Sequence, residues 1–406
     1  MSLRSKRILV GISGGIAAYK IPELIRSLVK AGAEVRVATT HNALQFVTEL
    51  TLQTVSGNRV YSDVFAAINE HATEHISLPE WADILLVAPA TANVVCKTAT
   101  GIADDALTTT ICSCVARKPI VIAPAMNDKM WENAAVQQAI ATLRTWKNLY
   151  IIEPAEGPLA CGTSGKGRMP EIEELQEALY YALSEQTMAG KRVLITAGGT
   201  QEKIDPVRFI SNYSTGKMGI ALAQACARRG ADVTLVCGAV SAPVYNPYGR
   251  IRRIDALSAQ AMYEACIHAW PESDIAILSA AVADFTPANP ATEKIKKEAL
   301  SIQHSAISIQ LKETADIAKA LGATKRPDQR LIGFALETEH EKENALRKME
   351  RKNLDAIILN SLRDKGAGFG VDTNIVTILL PDGSSTALPL QSKALISEEI
   401  LRVLFS

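Results

Sequence analysis

One hydrophobic rhythm occurs twice along the chain. Lys6-Arg-Ile-Leu-Val-Gly-Ile-Ser-Gly-Gly-Ile16 is an apolar run that ends in glycines, and Lys191-Arg-Val-Leu-Ile-Thr-Ala-Gly-Gly-Thr200 ends in the same way. A short run with no polar alternation reads as a strand buried on both faces. Behind each run come the tail of an amphipathic helix, a stop glycine (Gly32, Gly230) and a β-branched strand, in LVKAGAEVRVATT (28–40) and ACARRGADVTLVCG (225–238). Each half therefore opens as a βαβ unit with glycines in the first strand-to-helix turn. In the second copy an insertion over roughly residues 200–216 separates strand from helix.

The alternation continues through both halves. Apolar runs predict strands near 83–88, 119–123 and 149–152, then near 274–280, 330–334, 355–359 and 374–380, with helical stretches between them. This order implies an α/β chain of two doubly wound, mainly parallel, Rossmann-like three-layer domains. The last strand, followed by Asp382-Gly383, reads as part of a hairpin edge. The polar stretch Leu183–Gly190 is the expected join, giving domains 1–189 and 190–406.

Composition narrows this picture. A chain of 406 residues allows two or three domains, and 48% hydrophobic against 21% charged residues is an ordinary globular balance. Lys+Arg number 43 and Asp+Glu number 43, which excludes a protein that coats polyanions such as nucleic acid but hides any local asymmetry. The seven cysteines are scattered without a C-x-x-C, which suits reduced thiols. The first apolar run is short and strand-like, and no stretch approaches the ~18 apolar residues of a membrane span. The expectation is a cytoplasmic protein that binds neither membrane nor nucleic acid.

Ligands of doubly wound sheets gather at the carboxyl ends of the strands. In the first half, Gly11-Ile-Ser13-Gly14-Gly15 offers N–H groups and a hydroxyl to a phosphate, or is simply a tight turn. The second strand ends in Ala38-Thr39-Thr40, without the acid that grips a dinucleotide ribose, which favours a mononucleotide such as FMN over NAD. Ala88-Pro89-Ala90-Thr91-Ala92-Asn93 and Ala123-Pro124-Ala125-Met126-Asn127 both run strand, proline turn and carboxamide. His75 precedes the strand near Asp83, and Cys161 sits in a glycine-rich segment, 157–169, that reads as a mobile lid. Either residue can serve catalysis or be incidental.

SGGIAAYK (13–20), the His75 segment, APATAN (88–93), PAMNDKMW (124–131) and ACGTSGKGRM (160–169) resemble the motif set of the flavin-dependent cysteine decarboxylases. Their order and spacing resemble the decarboxylase half of the bifunctional phosphopantothenoylcysteine decarboxylase/phosphopantothenate–cysteine ligase family of coenzyme A synthesis. The resemblance implies FMN held by Ser13, Gly14, Gly15, Thr39, Thr40, Pro89, Ala90, Thr91 and Asn93. It implies oxidation of a cysteinyl thiol, loss of the adjacent carboxylate as CO₂, and reduction of the enethiol. His75 would assist the oxidative decarboxylation, Asn127 with Met126 would bind substrate, and Cys161 would donate the last proton.

The second half has no Walker A motif. Its insertion, Asp205-Pro-Val-Arg208-Phe-Ile-Ser-Asn212-Tyr-Ser-Thr-Gly-Lys217-Met-Gly219, is dense in polar chemistry, or forms a polar helix start. Ser279-Ala-Ala-Val-Ala-Asp284 ends a buried strand on a carboxylate. Lys348 and Lys352 share a helix face, where Glu343 and Glu350 can neutralise them as ordinary surface pairs. With Lys294 they can instead gather around a triphosphate.

TAGGT, DPVRFISNYSTGKMG, SAAVADF, EKIKK, GFALET and FGVDTN resemble the ligase half of the same family, in family order. The resemblance implies attack of 4′-phosphopantothenate on CTP, giving an acyl-cytidylate that the cysteine amine resolves to an amide, with Mg²⁺ bound mainly through the CTP phosphates. Asn212 would hold the acyl group and Arg208 the pantothenate portion. Leu278, Ser279, Ala280, Asp284, Lys294 (on a flap), Ala315, Asp316, Ile317, Ala318, Phe334, Lys348 and Lys352 would bind CTP. Ala315 stands where the family often has proline, which loosens the inference of base choice. A homo-oligomer is implied, with trimeric decarboxylase units joined by ligase dimers into a dodecamer. Two alternatives are a non-catalytic flavin-binding regulator, which would not need His75, Asn127 and Cys161 together, and an NAD(P)-dependent reductase, which would need the missing acid after Val37.

Overall fold

The computed structural model describes residues 3–65, 74–115, 117–158, 162, 164–296, 308–337, 340–361, 368 and 370–405. It divides into two compact units, Met1–Glu185 with Tyr245–Tyr248, and Gln186–Val244 with Gly249–Ser406. In the first unit the strands are β1 (Arg7–Ile12), β2 (Glu34–Thr39), β3 (Val60–Tyr61), β4 (Ile84–Ala90), β5 (Ile120–Pro124) and β6 (Leu149–Ile151). They pair in parallel in the order β3-β2-β1-β4-β5-β6. Strand order reverses between β1 and β4, the usual place for a ligand crevice.

Side-chain alternation along β1 builds the two faces of this sheet. Ile8, Val10 and Ile12 join one buried cluster with Leu24, Leu28 and Leu175 of flanking helices. Leu9 joins the opposite cluster with Leu107, Ile111 and Ile140. Burying each such side chain contributes about 1.5–3 kcal/mol, so apolar runs in these strands demand helices on both faces.

The second unit repeats the plan and extends it. Its main-sheet strands are β9 (Arg192–Ala197), β12 (Asp232–Cys237), β13 (Ile251–Asp255), β14 (Ile275–Leu278), β17 (Arg330–Glu337), β18 (Ala356–Ser361), β19 (Thr373–Leu379) and β20 (Ser385–Ser392), in the order β13-β12-β9-β14-β17-β18-β19-β20. The first six are parallel; β19 runs antiparallel to both β18 and β20. Val193, Ile195 and Ala197 face one cluster and Leu194 the other. Two small hairpins, β10 (Gln201–Lys203) with β11 (Phe209–Ser211) and β15 (Phe285–Pro287) with β16 (Leu311–Glu313), rise from its loops.

The glycine-rich segment 157–169 carries regular structure among its described residues: β7 (Ala155–Pro158) pairs with β8 (Ser164–Arg168) as an antiparallel hairpin. Glycine there serves close packing: a Cβ on Gly167 would stand 2.2 Å from the Met126 carbonyl oxygen. Strand β13 escaped the sequence pattern because Arg252 and Arg253 make it polar at the exposed sheet edge. No helix among the described residues is long and apolar enough to cross a membrane.

Candidate active sites

In the first unit the β1 and β4 turns meet at the carboxyl edge of the sheet. Ser13 Oγ donates to the Pro89 carbonyl at 2.7 Å and accepts from the Thr91 amide at 3.0 Å. Gly14 lies so close to the next turn that a Cβ would stand 2.5 Å from Asn42 Cβ. The short helix Ile16–Lys20 follows, and its first N–H groups have no intrahelical acceptors. Together these border a cavity of about 830 Å³.

Of the residues singled out in the sequence, Ser13, Gly14, Gly15, Thr40, Thr91, Asn93, Met126 and Asn127 line it. Thr39 and Ala90 are fully buried beneath it, and Pro89 serves through its carbonyl. Asn127 caps the helix Asp128–Trp131 by accepting from the Lys129 amide at 3.0 Å. The Met126 amide donates to Gly167 at 2.9 Å, which ties the PAMN loop to the β7–β8 hairpin. Cys161 lies outside the described residues, in the segment joining the two hairpin strands. His75 sits in the first turn of the helix Glu74–Trp81 and is not among the residues lining this cavity.

Charged residues that sequence reasoning left unassigned also line the cavity. Lys20 pairs with Glu171 at 3.2 Å, and Arg168 pairs with the same carboxylate. Lys97 pairs with Asp104 at 2.7 Å, and its hydrogen bond holds that carboxyl below its usual range. Lys20 ends the SGGIAAYK motif, so its position was visible in the sequence but its direction was not.

In the second unit a cavity of about 650 Å³ opens over the β9, β14, β17 and β18 ends. Leu278, Ser279, Ala280, Asp284, Ala315, Asp316, Ile317, Ala318, Phe334, Lys348 and Lys352 all line it. Lys348 donates to the Phe334 carbonyl at 3.1 Å, and Lys352 pairs with Asp316 at 2.7 Å. Burial would raise the Asp316 carboxyl, but the hydrogen bond from Lys352 and the Lys319 amide outweigh it and hold it below its usual range.

Arg208, Asn212 and Lys294 are not among the residues lining this cavity. Asn212 is nevertheless bound to its wall, donating from Nδ2 to the Ala281 carbonyl at 2.5 Å. Lys294 is exposed. The structure adds Lys217, Lys393, Asn360 and Asn374 to the lining. Burial, with Lys217 nearby, pushes the Lys393 ammonium below its usual range. The described residues contain no group of three or more His, Cys, Asp or Glu arranged to hold a metal.

Residues 1–184 match the Flavoprotein family, and residues 188–406 match the DNA/pantothenate metabolism flavoprotein C-terminal domain. Over 404 residues the chain is 47% identical to the coenzyme A biosynthesis bifunctional protein CoaBC of Bacillus subtilis (strain 168), covering 98% of this chain and 97% of that one. The chain belongs to the bifunctional coenzyme A biosynthesis flavoprotein family. Members of this family join a flavoprotein decarboxylase domain to a ligase domain, and both domains are present here in that order. The chain is also 46% identical over 362 residues to a cysteine/cysteine sulfinic acid decarboxylase of an unknown prokaryotic organism, covering 88% of this chain and 98% of that one. Among solved structures, the C-terminal domain of a coenzyme A biosynthesis bifunctional protein CoaBC matches 54% of this chain and 96% of its own at 40% identity, with a TM-score of 0.45.

The first cavity suits the flavin that this family implies. Its close glycine turn, the helix start at Ile16 and the hydroxyls of Ser13, Thr40 and Thr91 form one wall, and its volume of about 830 Å³ is of small-cofactor size. Thr39 adds a buried Oγ1 with no hydrogen-bond partner among the described residues.

Proposed function

We propose that residues 190–406 condense 4′-phosphopantothenate with cysteine using CTP, and that residues 1–189 decarboxylate the phosphopantothenoylcysteine product to 4′-phosphopantetheine with FMN. The observation that carries this reading is the pair of cavities, each at the carboxyl edge of its own sheet and each lined by its half's motif residues. CTP enters as its magnesium complex, and the product at this stage is an acyl-cytidylate with release of pyrophosphate. Lys348, Lys352 and Lys294 supply positive charge for the triphosphate, and Asp284 and the 315–318 turn contact the nucleoside. Arg208 binds the acid, and Asn212, fixed against Ala281, holds the activated acyl group for attack by the cysteine amine.

In the first unit FMN supplies a reversible two-electron oxidation when it is bound. Ser13, Gly14, Gly15, Thr39, Thr40, Pro89, Ala90, Thr91 and Asn93 form its cradle. Asn127 and Met126 orient the substrate, with the Asn127 carboxamide at the carboxylate that departs. His75 assists that departure, and Cys161 delivers the last proton. Ile16, Tyr19 and Met130 line the cavity yet are 56%, 62% and 48% exposed, which supports assembly of this face into a homo-oligomer; its size, a dodecamer, and its cytoplasmic location are carried over from the family pattern. The test is Cys161→Ser on supplied phosphopantothenoylcysteine: CO₂ release continues while 4′-phosphopantetheine fails to appear. Normal phosphopantetheine yield removes Cys161 from its role.

A further inference from the structure

Asp205 is a carboxylate that the proposed ligase chemistry does not use, yet it is only 2% exposed and fully bonded. Its two oxygens do different work. Oδ1 accepts from the Val207 and Arg208 amides at 2.8 and 2.7 Å, which shapes the turn that presents Arg208. Oδ2 accepts from Arg208 Nε at 3.0 Å and from its terminal nitrogen, and also from the Ile295 amide at 3.2 Å. The Arg208 guanidinium in turn donates to the Ile295 carbonyl at 2.9 Å. Ile295 follows Lys294 directly, so one carboxylate fastens the arm of the acid-binding arginine to the root of the nucleotide-binding lysine. The hydrogen bond from Arg208 holds the Asp205 carboxyl far below its usual range, so it stays charged at neutral pH.

We infer that Asp205 is a positioning residue of the ligase, setting Arg208 and Lys294 together so that recognition of the acid and of the nucleotide share one anchor. This rests on the roles of Arg208 and Lys294 in the function proposed above. Geometry gives a selective variant. Asp205→Asn keeps an oxygen for the turn, but places an amide donor against the Arg208 and Ile295 donors that Oδ2 now accepts. Charged hydrogen bonds of this kind are the stronger class, and misplacement of site groups costs roughly 10- to 100-fold.

The experiment measures ligase kinetics and amide hydrogen exchange on the full-length protein. Asp205→Asn is expected to raise KM for phosphopantothenate and CTP together by about tenfold, with decarboxylation of supplied phosphopantothenoylcysteine unchanged. The Ile295 amide is expected to lose protection, while Ala291, whose amide donates to the Ile204 carbonyl at 2.8 Å, keeps it. Arg208→Lys, which lacks the fork that spans Asp205 and Ile295, releases the Ile295 carbonyl but leaves its amide on Asp205 Oδ2, so it is expected to raise both KM values while Ile295 keeps its protection. Unchanged KM values with a protected Ile295 in Asp205→Asn overturn the inference. Arg208→Ala and Lys294→Ala separate the two claims. If both impair ligation and Asp205→Asn does not, only the inference falls; if neither impairs it, the site assignment falls and takes the inference with it.

Discussion

A Cβ on Gly167 would meet the Met126 carbonyl oxygen at 2.2 Å, and backbone cannot swing aside as a side chain can. Gly167→Ala is therefore expected to push the β7–β8 hairpin from the PAMN loop and to lower decarboxylase activity at least about tenfold. Ligase activity in the same preparation should stay at the parental level, and equal loss of both would mean general unfolding. Individual residues were unevenly legible in the sequence. Asn127 and the Ser13–Gly15 turn sit where strand-end logic places them. The need for glycine at 167 was not legible, because it arises from a contact with a residue some forty positions earlier in the chain. Asp205 was quoted in a motif but given no role, since its partners at Ile295 are set by folding rather than by spacing.

The helix Glu341–Arg351 and the turn at Asp316 show how an element carries charge into a cavity. The i,i+4 spacing of Lys348 and Lys352 was readable, but the competing reading, neutralisation by Glu343 and Glu350, was equally available from sequence. In the structure Lys352 bonds Asp316 from another element, and both line the cavity. Because the folded Asp316 carboxyl titrates below its usual range, this pair contributes fully above that range and is lost as pH falls through the lowered value. Asp316→Asn keeps a side-chain oxygen to cap the following helix but not the charge. Urea unfolding should show the parent more stable than the variant at neutral pH, with the gap closing under acid. A gap that widens as pH falls contradicts the sign. Lys352→Met is expected to raise KM for CTP by about tenfold with KM for cysteine unchanged, as steady-state kinetics would show.

At the scale of the molecule, two sheets share the order of their first six strands and each opens a cavity at the same edge. That repetition was legible because the buried strands lack polar alternation; the small hairpins were not, since each of their strands is only three residues long and shows no clear period. The equal count of 43 basic and 43 acidic residues hides Lys217, Lys348, Lys352 and Lys393 around one cavity. Separate cavities predict separable activities. Asn212→Asp sets a carboxylate against the Ala281 carbonyl that now accepts from Nδ2, so ligation should fail while decarboxylation of supplied phosphopantothenoylcysteine persists. Loss of both activities in that variant contradicts the division.

The most direct test of the whole account incubates the purified protein with 4′-phosphopantothenate, cysteine, Mg²⁺ and either CTP or ATP, and follows products by mass. The account predicts phosphopantothenoylcysteine and then 4′-phosphopantetheine, with CMP and pyrophosphate, in the CTP reaction. Cysteamine formed from free cysteine, with no pantothenate-containing amide from either nucleotide, would contradict it.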